Sequence, residues 1–154
     1  MAVETGDEAP KFKLPAKPRE EVDVGSVIGK KKVVLLFFPL AFSSVCTAEM
    51  CHMRDDWQQY TSLGAKVFAI SVDSPFVTDK FRQLERIPFP ILSDFNKQVS
   101  RSYGVLQDDL MGLKGVSKRS VFVMGADGKV RYRWVTDDPG VQVKFDEIVA
   151  ALKA

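Results

Sequence analysis

Val33-Val34-Leu35-Leu36-Phe37-Phe38-Pro39-Leu40-Ala41-Phe42-Ser43-Ser44-Val45-Cys46 is the stretch on which the fold turns. Its first six residues are all apolar, and several are β-branched or aromatic. Such a run reads as a strand buried on both faces, the mark of a central strand in a parallel sheet. Residues 39–44 read as a loop. A helical pattern follows from about Val45 to Leu63: Val45, Met50, Met53, Trp57 and Tyr60 recur at spacings of three to five, and Gly64 stands where a helix C-terminal glycine belongs. Cys46 thus falls at a helix start, just past the end of a central strand. The free N–H groups of a first helical turn and the helix dipole both favour negative charge there. The anion is the reactive form of cysteine. Binding sites of open α/β sheets also gather at the carboxyl ends of strands.

Upstream, residues 1–32 read as loop-rich, with short extended pieces around Lys11–Leu14. Downstream, Lys66–Val72 is a second buried strand. Asp73-Ser74-Pro75 starts a helix, with a capping residue and a proline in the first turn, running to about Glu85. Pro88–Leu92 is a short strand and Asn96–Tyr103 a short helix. Ser120–Met124 and Lys129–Val135 flank Gly125-Ala126-Asp127-Gly128 and read as a β-hairpin. Val141–Leu152 is an amphipathic helix. Strands that alternate with helices and end in a hairpin predict an α/β fold, a central mixed β-sheet flanked by helices on both faces. A thioredoxin-like fold is compatible with this order, and so are other α/β sandwiches.

The 154 residues suit one domain spanning 1–154, large enough to bury roughly 70% of its unfolded surface. With 45% hydrophobic and 27% charged residues, the composition is that of a soluble globular protein. Lys and Arg number 22 against 20 Asp and Glu, and this balance argues against a nucleic-acid partner. Lys30-Lys31-Lys32, the densest basic run, reads as a solvated turn before the first core strand. Met1–Pro10 carries Glu4, Asp7 and Glu8 and does not resemble a secretory leader. The longest apolar run, Val33–Phe42, is too short for a membrane span. A cytoplasmic location is the expectation. Two cysteines are no secreted disulfide scaffold; five residues apart in a reducing compartment, they suggest catalysis, redox chemistry or metal binding.

The spacing Pro39, Ser43, Cys46 resembles the active-site pattern of the peroxiredoxins: proline, three residues, threonine or serine, two residues, cysteine. Glu49 fits a position where that family often has glutamate. The wording Phe-Phe-Pro-Leu-Ala-Phe looks like the alkyl hydroperoxide reductase E subgroup, whereas Cys46-Thr47-Ala48-Glu49-Met50-Cys51 is similar to the Q-type, bacterioferritin-comigratory members. The resemblance extends from Gly6-Asp7-Glu8-Ala9-Pro10 to the hairpin. It implies a thioredoxin-like fold and a thiol peroxidase acting on hydrogen peroxide or organic hydroperoxides, with Cys46 attacking the peroxide and becoming a sulfenic acid. It assigns Arg119, in Lys118-Arg119-Ser120-Val121-Phe122-Val123, to the family's distant arginine. Arginine is a permanently charged fork of donors suited to the charge on the leaving oxygen. Glu49 would orient Arg119. The Ser43 hydroxyl would donate toward sulfur or peroxide, and Pro39 would shield the sulfur from water. No metal, haem or flavin is needed.

By the same resemblance Cys51 would resolve the sulfenic acid as an intramolecular disulfide. On an intact helix, however, residues five apart have Cα atoms about 8.7 Å from each other, beyond the ~7 Å that a disulfide tolerates. The first turn of the helix must therefore unwind. The alternative is a one-cysteine enzyme resolved by an external thiol. After the final hairpin no cysteine remains, which disfavours an intermolecular disulfide. The recharging partner would be thioredoxin, glutaredoxin or a low-molecular-weight thiol, and related proteins often pair as homodimers through loops beside the active site. His52 reads as a partly exposed helix residue, not as a metal ligand with Cys46 and Cys51. Phe42, Trp57, Phe89 and Phe95 read mostly as core, with the peroxide pocket or a dimer face as the alternative for a few of them. Two other functions compete. A thioredoxin-like disulfide oxidoreductase would show Cys-x-x-Cys, which is absent; an interaction or chaperone module would show no thiol chemistry.

Overall fold

The computed structural model describes residues 2–154 and begins with a small antiparallel pair, β1 (Lys13–Lys17) and β2 (Glu20–Asp23). Then follow β3 (Lys32–Phe37), α1 (Ser44–Asp55), α2 (Trp57–Ser62), β4 (Ala65–Ser71), α3 (Pro75–Leu84), β5 (Ile91–Ser93) and α4 (Gln98–Ser102). The last part holds β6 (Leu106–Leu110), β7 (Leu113–Ser117), β8 (Ser120–Met124), β9 (Val130–Val135) and α5 (Phe145–Lys153). The main sheet has the order β5-β4-β3-β8-β9, so β3 lies at its centre. It is mixed: β3 runs parallel to β4 and antiparallel to β8.

Every side chain from Val33 to Phe38 is fully buried, as the six-residue apolar run requires. Alternate residues of a strand point to opposite faces. Val34, Leu36 and Phe38 pack with Cys46, Met50 and Met53 of α1 and Ile148 and Leu152 of α5. Val33, Leu35 and Phe37 pack on the other side with Val24, Ile28, Val99 of α4 and Tyr103. Two cores thus share one strand, and each side chain on it removes apolar surface worth about 1.5–3 kcal/mol from water.

Several local expectations shift. The single long helix after Cys46 is two helices, broken at Asp56, whose φ −102° and ψ 16° leave the helical region. Paired aspartates at 55 and 56 compete with backbone hydrogen bonding and weaken the helix there. Gly64, at φ +74°, does close α2, a conformation that glycine adopts at no steric cost. The start of α3 is as read: Ser74 caps it by accepting from Val77 N, and Pro75 stands in its first turn. The extended piece near Lys11–Leu14 overlaps the start of β1 at Lys13–Leu14, and its partner β2 lies in the stretch read as loop. A second small hairpin, β6–β7, lies where the sequence pattern predicts no element, because Leu106-Gln107-Asp108-Asp109 has no clean apolar alternation. The last helix begins at Phe145, not Val141. Of the four aromatics read as core, Phe89 is buried and Trp57 half-buried against it, while Phe42 and Phe95 are 52% and 59% exposed. Both of these sit in loops outside the sheet layers, where they are only partly covered. Lys30 and Lys31 are exposed as expected, whereas Lys32 donates to Leu152 O across 2.7 Å. Among the described residues no helix is long and apolar enough to cross a membrane.

Candidate active site

β3 delivers the chain to the site. Phe38 N donates to Ile70 O, keeping the backbone paired one residue past the strand. The loop that follows is pinned by Asp73, whose Oδ2 accepts from Ala41 N at 2.7 Å and from Ser71 Oγ at 2.7 Å. Phe42 turns it with a left-handed backbone, φ +71°, and lays its ring 5.1 Å from that of Phe81. Left-handed φ is uncommon for a bulky residue. Here it is imposed by the turn between an Asp73-anchored loop and the start of α1.

Ser43 is the N-cap of α1, with extended backbone. Its carbonyl accepts from Thr47 N and Thr47 Oγ1. Its hydroxyl, expected to point toward sulfur or substrate, instead donates to Leu40 O at 2.9 Å. The physical reason is proximity, since the turn brings that carbonyl within reach three residues back. As a result no side chain caps α1, and the first-turn N–H groups at Ser44, Val45 and Cys46 keep their donor capacity.

Cys46 lies in that first turn, fully buried. Arg119 comes to it from the residue before β8. The register explains how: Ser120 pairs with Phe37, so the residue ahead of Ser120 lies beside the end of β3. Arg119 Nη2 stands 3.2 Å from Cys46 Sγ and also donates to Pro139 O at 2.9 Å. Its Nη1 donates to Glu49 Oε1 at 2.6 Å. Glu49, one helical turn beyond Cys46, is fully buried and Arg119 is 1% exposed. One guanidinium therefore bridges the sulfur and a carboxylate, and the Pro139 carbonyl fixes its plane. Pro39 is buried beside them and lines, with Leu40, Ser43, Val45, Arg119 and Pro139, a cleft of about 220 Å³.

The buried ion pair is not symmetric. Glu49 Oε2 and Arg119 Nε have no partner among the described residues. Burial pushes the Glu49 carboxyl up from 4.5 to about 7, with the charge and hydrogen bond of Arg119 pulling it back down. Between those values the unfolded chain has released the Glu49 proton and the folded chain keeps it. The folded state then binds more protons, so this group lowers stability as pH rises through that window. Glu49→Gln has no such proton. Its denaturation midpoint should fall less than that of the native protein between about pH 5 and about pH 7. Parallel pH dependences in urea would remove Glu49 from the account.

Cys51, later in α1, is half-buried, and its thiol donates to Glu85 Oε1 at 3.3 Å. Both cysteines are free and α1 is continuous between them. His52 is exposed and stacks on Phe145 with ring centroids 3.7 Å apart. No cluster of potential metal ligands occurs among the described residues. Sequence reasoning missed Asp73, Pro139, Glu85 and the hairpin residues Leu110, Met111 and Leu113 that wall the cleft. In the sequence Asp73 reads only as part of a helix start. Asp137-Asp138-Pro139-Gly140 is a legible turn, but nothing local says that its carbonyl meets Arg119.

The AhpC/TSA family profile matches residues 5–133. The chain is 33% identical over 154 residues to peroxiredoxin Bcp of Escherichia coli K12, covering 98% of this chain and 96% of that protein. It is 30% identical over 159 residues to a chloroplastic 2-Cys peroxiredoxin, BAS1, of Hordeum vulgare, covering 97% of this chain and 73% of that one. The crystal structure of peroxidoxin BcpB from Mycobacterium tuberculosis superposes with a TM-score of 0.85 at 29% identity, over 98% of this chain and 97% of the other.

Proposed function

The chain belongs to the AhpC/TSA family as a peroxiredoxin of the Bcp, or Q, type with a thioredoxin-like fold, a thiol-dependent peroxidase, and from that premise we propose that Cys46 is its peroxide-attacking residue. The observation that carries this assignment is the contact of Arg119 Nη2 with Cys46 Sγ, made by the same guanidinium that holds Glu49. The sulfur anion attacks the terminal oxygen of ROOH. The S–O bond forms as the O–O bond breaks, and RO⁻ leaves, to be protonated to ROH. Charge moves from sulfur to the leaving oxygen. Arg119 faces the start of that path, and the uncapped first turn of α1 offers further donors for its end. Because these donors are fixed by packing before substrate arrives, little reorganisation accompanies the reaction.

Glu49 positions Arg119. Pro39 closes one side of the cleft. Ser43 acts through its backbone, as the cap carbonyl that starts α1, since its hydroxyl is engaged by Leu40. Leu40, Val45, Leu110, Met111 and Leu113 give the cleft an apolar wall, which supports organic hydroperoxides alongside hydrogen peroxide as substrates. The reductant is a thiol: thioredoxin, glutaredoxin or a small thiol.

Cys51 is the resolving thiol in this reading. The continuous helix between the two cysteines means that the first turn opens before sulfur meets sulfur. One equivalent of peroxide added to the reduced protein, followed by intact mass, tests both levels. Loss of two hydrogens, with an internal Cys46–Cys51 bridge in the peptide map, is the expected result. A gain of one oxygen that persists would replace Cys51 by an external thiol, and unreacted protein with unconsumed peroxide would end the peroxidase assignment to Cys46. In Cys51→Ser the first equivalent should react at the native rate while recycling slows.

A further inference from the structure

Among the described residues Cys51 has one side-chain hydrogen-bond partner, Glu85, and that contact joins two elements. Glu85 caps the C-terminus of α3, 34 residues away in sequence. Its carboxylate accepts the Cys51 S–H at 3.3 Å, and its main-chain carbonyl accepts from Arg54 Nη1 at 2.6 Å. The second half of α1 is thus tied to α3 at two points, while Met50 and Met53 bury its inner face. At the first turn, Gln142 Nε2 donates to Val45 O at 3.2 Å.

A thiol that donates to a carboxylate is held in its protonated form, because ionisation would place two anions side by side and break the bond. The charged groups facing Cys51 are Glu85 from α3 and Arg54 and Asp55 from its own helix. Burial, then the bond to Glu85, push the Cys51 thiol up, and Arg54 opposes them. At Cys46 the hydrogen-bonding neighbour is instead the Arg119 guanidinium.

We propose that Glu85 is a positioning residue that keeps Cys51 a silent thiol while α1 is folded, so that the two cysteines react in a fixed order. Cys46 meets the peroxide first. Cys51 becomes a nucleophile once the helix opens and draws it away from Glu85. It then loses its proton and attacks the sulfenic sulfur of Cys46. The S–S bond forms, the S–O bond breaks, and the hydroxide that leaves takes a proton to become water. The Cys51 sulfur is oxidised as the Cys46 sulfur is reduced, so no outside oxidant is needed. This inference rests on the reading of Cys51 as the resolving thiol.

The test separates the two. In a Cys46→Ser protein, the rate of Cys51 alkylation by iodoacetamide is followed against pH with Glu85, Glu85→Gln and Glu85→Asp. Glu85→Gln should shift the profile to lower pH, raising the rate near pH 8 severalfold, with the same plateau at high pH. Glu85→Asp should fall between. A helix merely loosened by the substitution would raise the plateau and leave the midpoint in place, and that outcome overturns the proposal, as does an unmoved profile. With both cysteines present, Glu85→Gln should shorten the lifetime of the Cys46 sulfenic acid. A longer lifetime would make Glu85 a base that promotes the attack, and would also overturn it. The alkylation assay needs no peroxidase activity, so its failure is distinct from the absence of a Cys46–Cys51 bridge in the native protein.

Discussion

Cys46→Ser should abolish peroxide turnover while leaving the protein folded. The substitution changes one atom. The serine oxygen can still accept from Arg119, whose other bonds to Glu49 and Pro139 persist, so the buried pair keeps the contacts that hold it. What is lost is the nucleophile. A hydroxyl in this site has no neighbouring base positioned to activate it, since the group nearest the sulfur is a cation. Peroxide consumption with excess dithiothreitol should fall to the uncatalysed background, with a thermal midpoint close to that of the native protein. Residual turnover at even a few per cent of the native rate would move the chemistry elsewhere. Cys51 would then be the candidate, and its bond to Glu85 would have to be reinterpreted.

The second large effect is at Arg119. Arg119→Ala should slow sulfenic acid formation by about 10²–10³-fold, the usual cost of removing a donor aimed at transition-state charge. The effect belongs to the first step, so single-turnover oxidation is the measurement, and resolution by Cys51 should proceed at its native rate once the sulfenic acid exists. The fold need not fail. Glu49, left without its partner, has its carboxyl already pushed up to about 7 with the cation present, and without that opposing charge it moves further toward the neutral form. A protonated acid costs far less to bury than an unpaired anion. Arg119→Met fills the same space without charge and separates packing from electrostatics. If the methionine variant oxidises within about threefold of the native rate, transition-state stabilisation by this guanidinium would be refuted.

The two substitutions probe different kinds of information. Cys46 announces itself locally. The strand before it, the loop and the helix after it follow from apolar runs and helical spacing, and a cysteine at that junction has a physical bias toward negative charge. Glu49 is local as well, one turn along the same helix. Arg119 was found through its likeness to a family pattern, since 73 residues separate it from Cys46 and nothing in its own neighbourhood marks it. The break at Asp56 and the β6–β7 hairpin were not legible, because both depend on weak local preferences that neighbouring elements decide. Phe42 and Phe95 show the converse error, in which apolar residues were assumed to be core although their loops lie outside the sheet layers.

The amino-acid order determined the central strand with two buried faces, the helix whose first turn holds Cys46, and the spacing of Pro39, Ser43, Cys46 and Glu49, because each depends on residues a few positions apart. Tertiary structure alone decided that Arg119 reaches the sulfur through the pairing of Ser120 with Phe37, that the Pro139 carbonyl fixes its plane, that the Ser43 hydroxyl turns to Leu40, and that Glu85 holds Cys51. Those contacts join segments far apart in the chain or fix one rotamer among several. Strand register and packing set them, and neither is written in any short stretch of sequence.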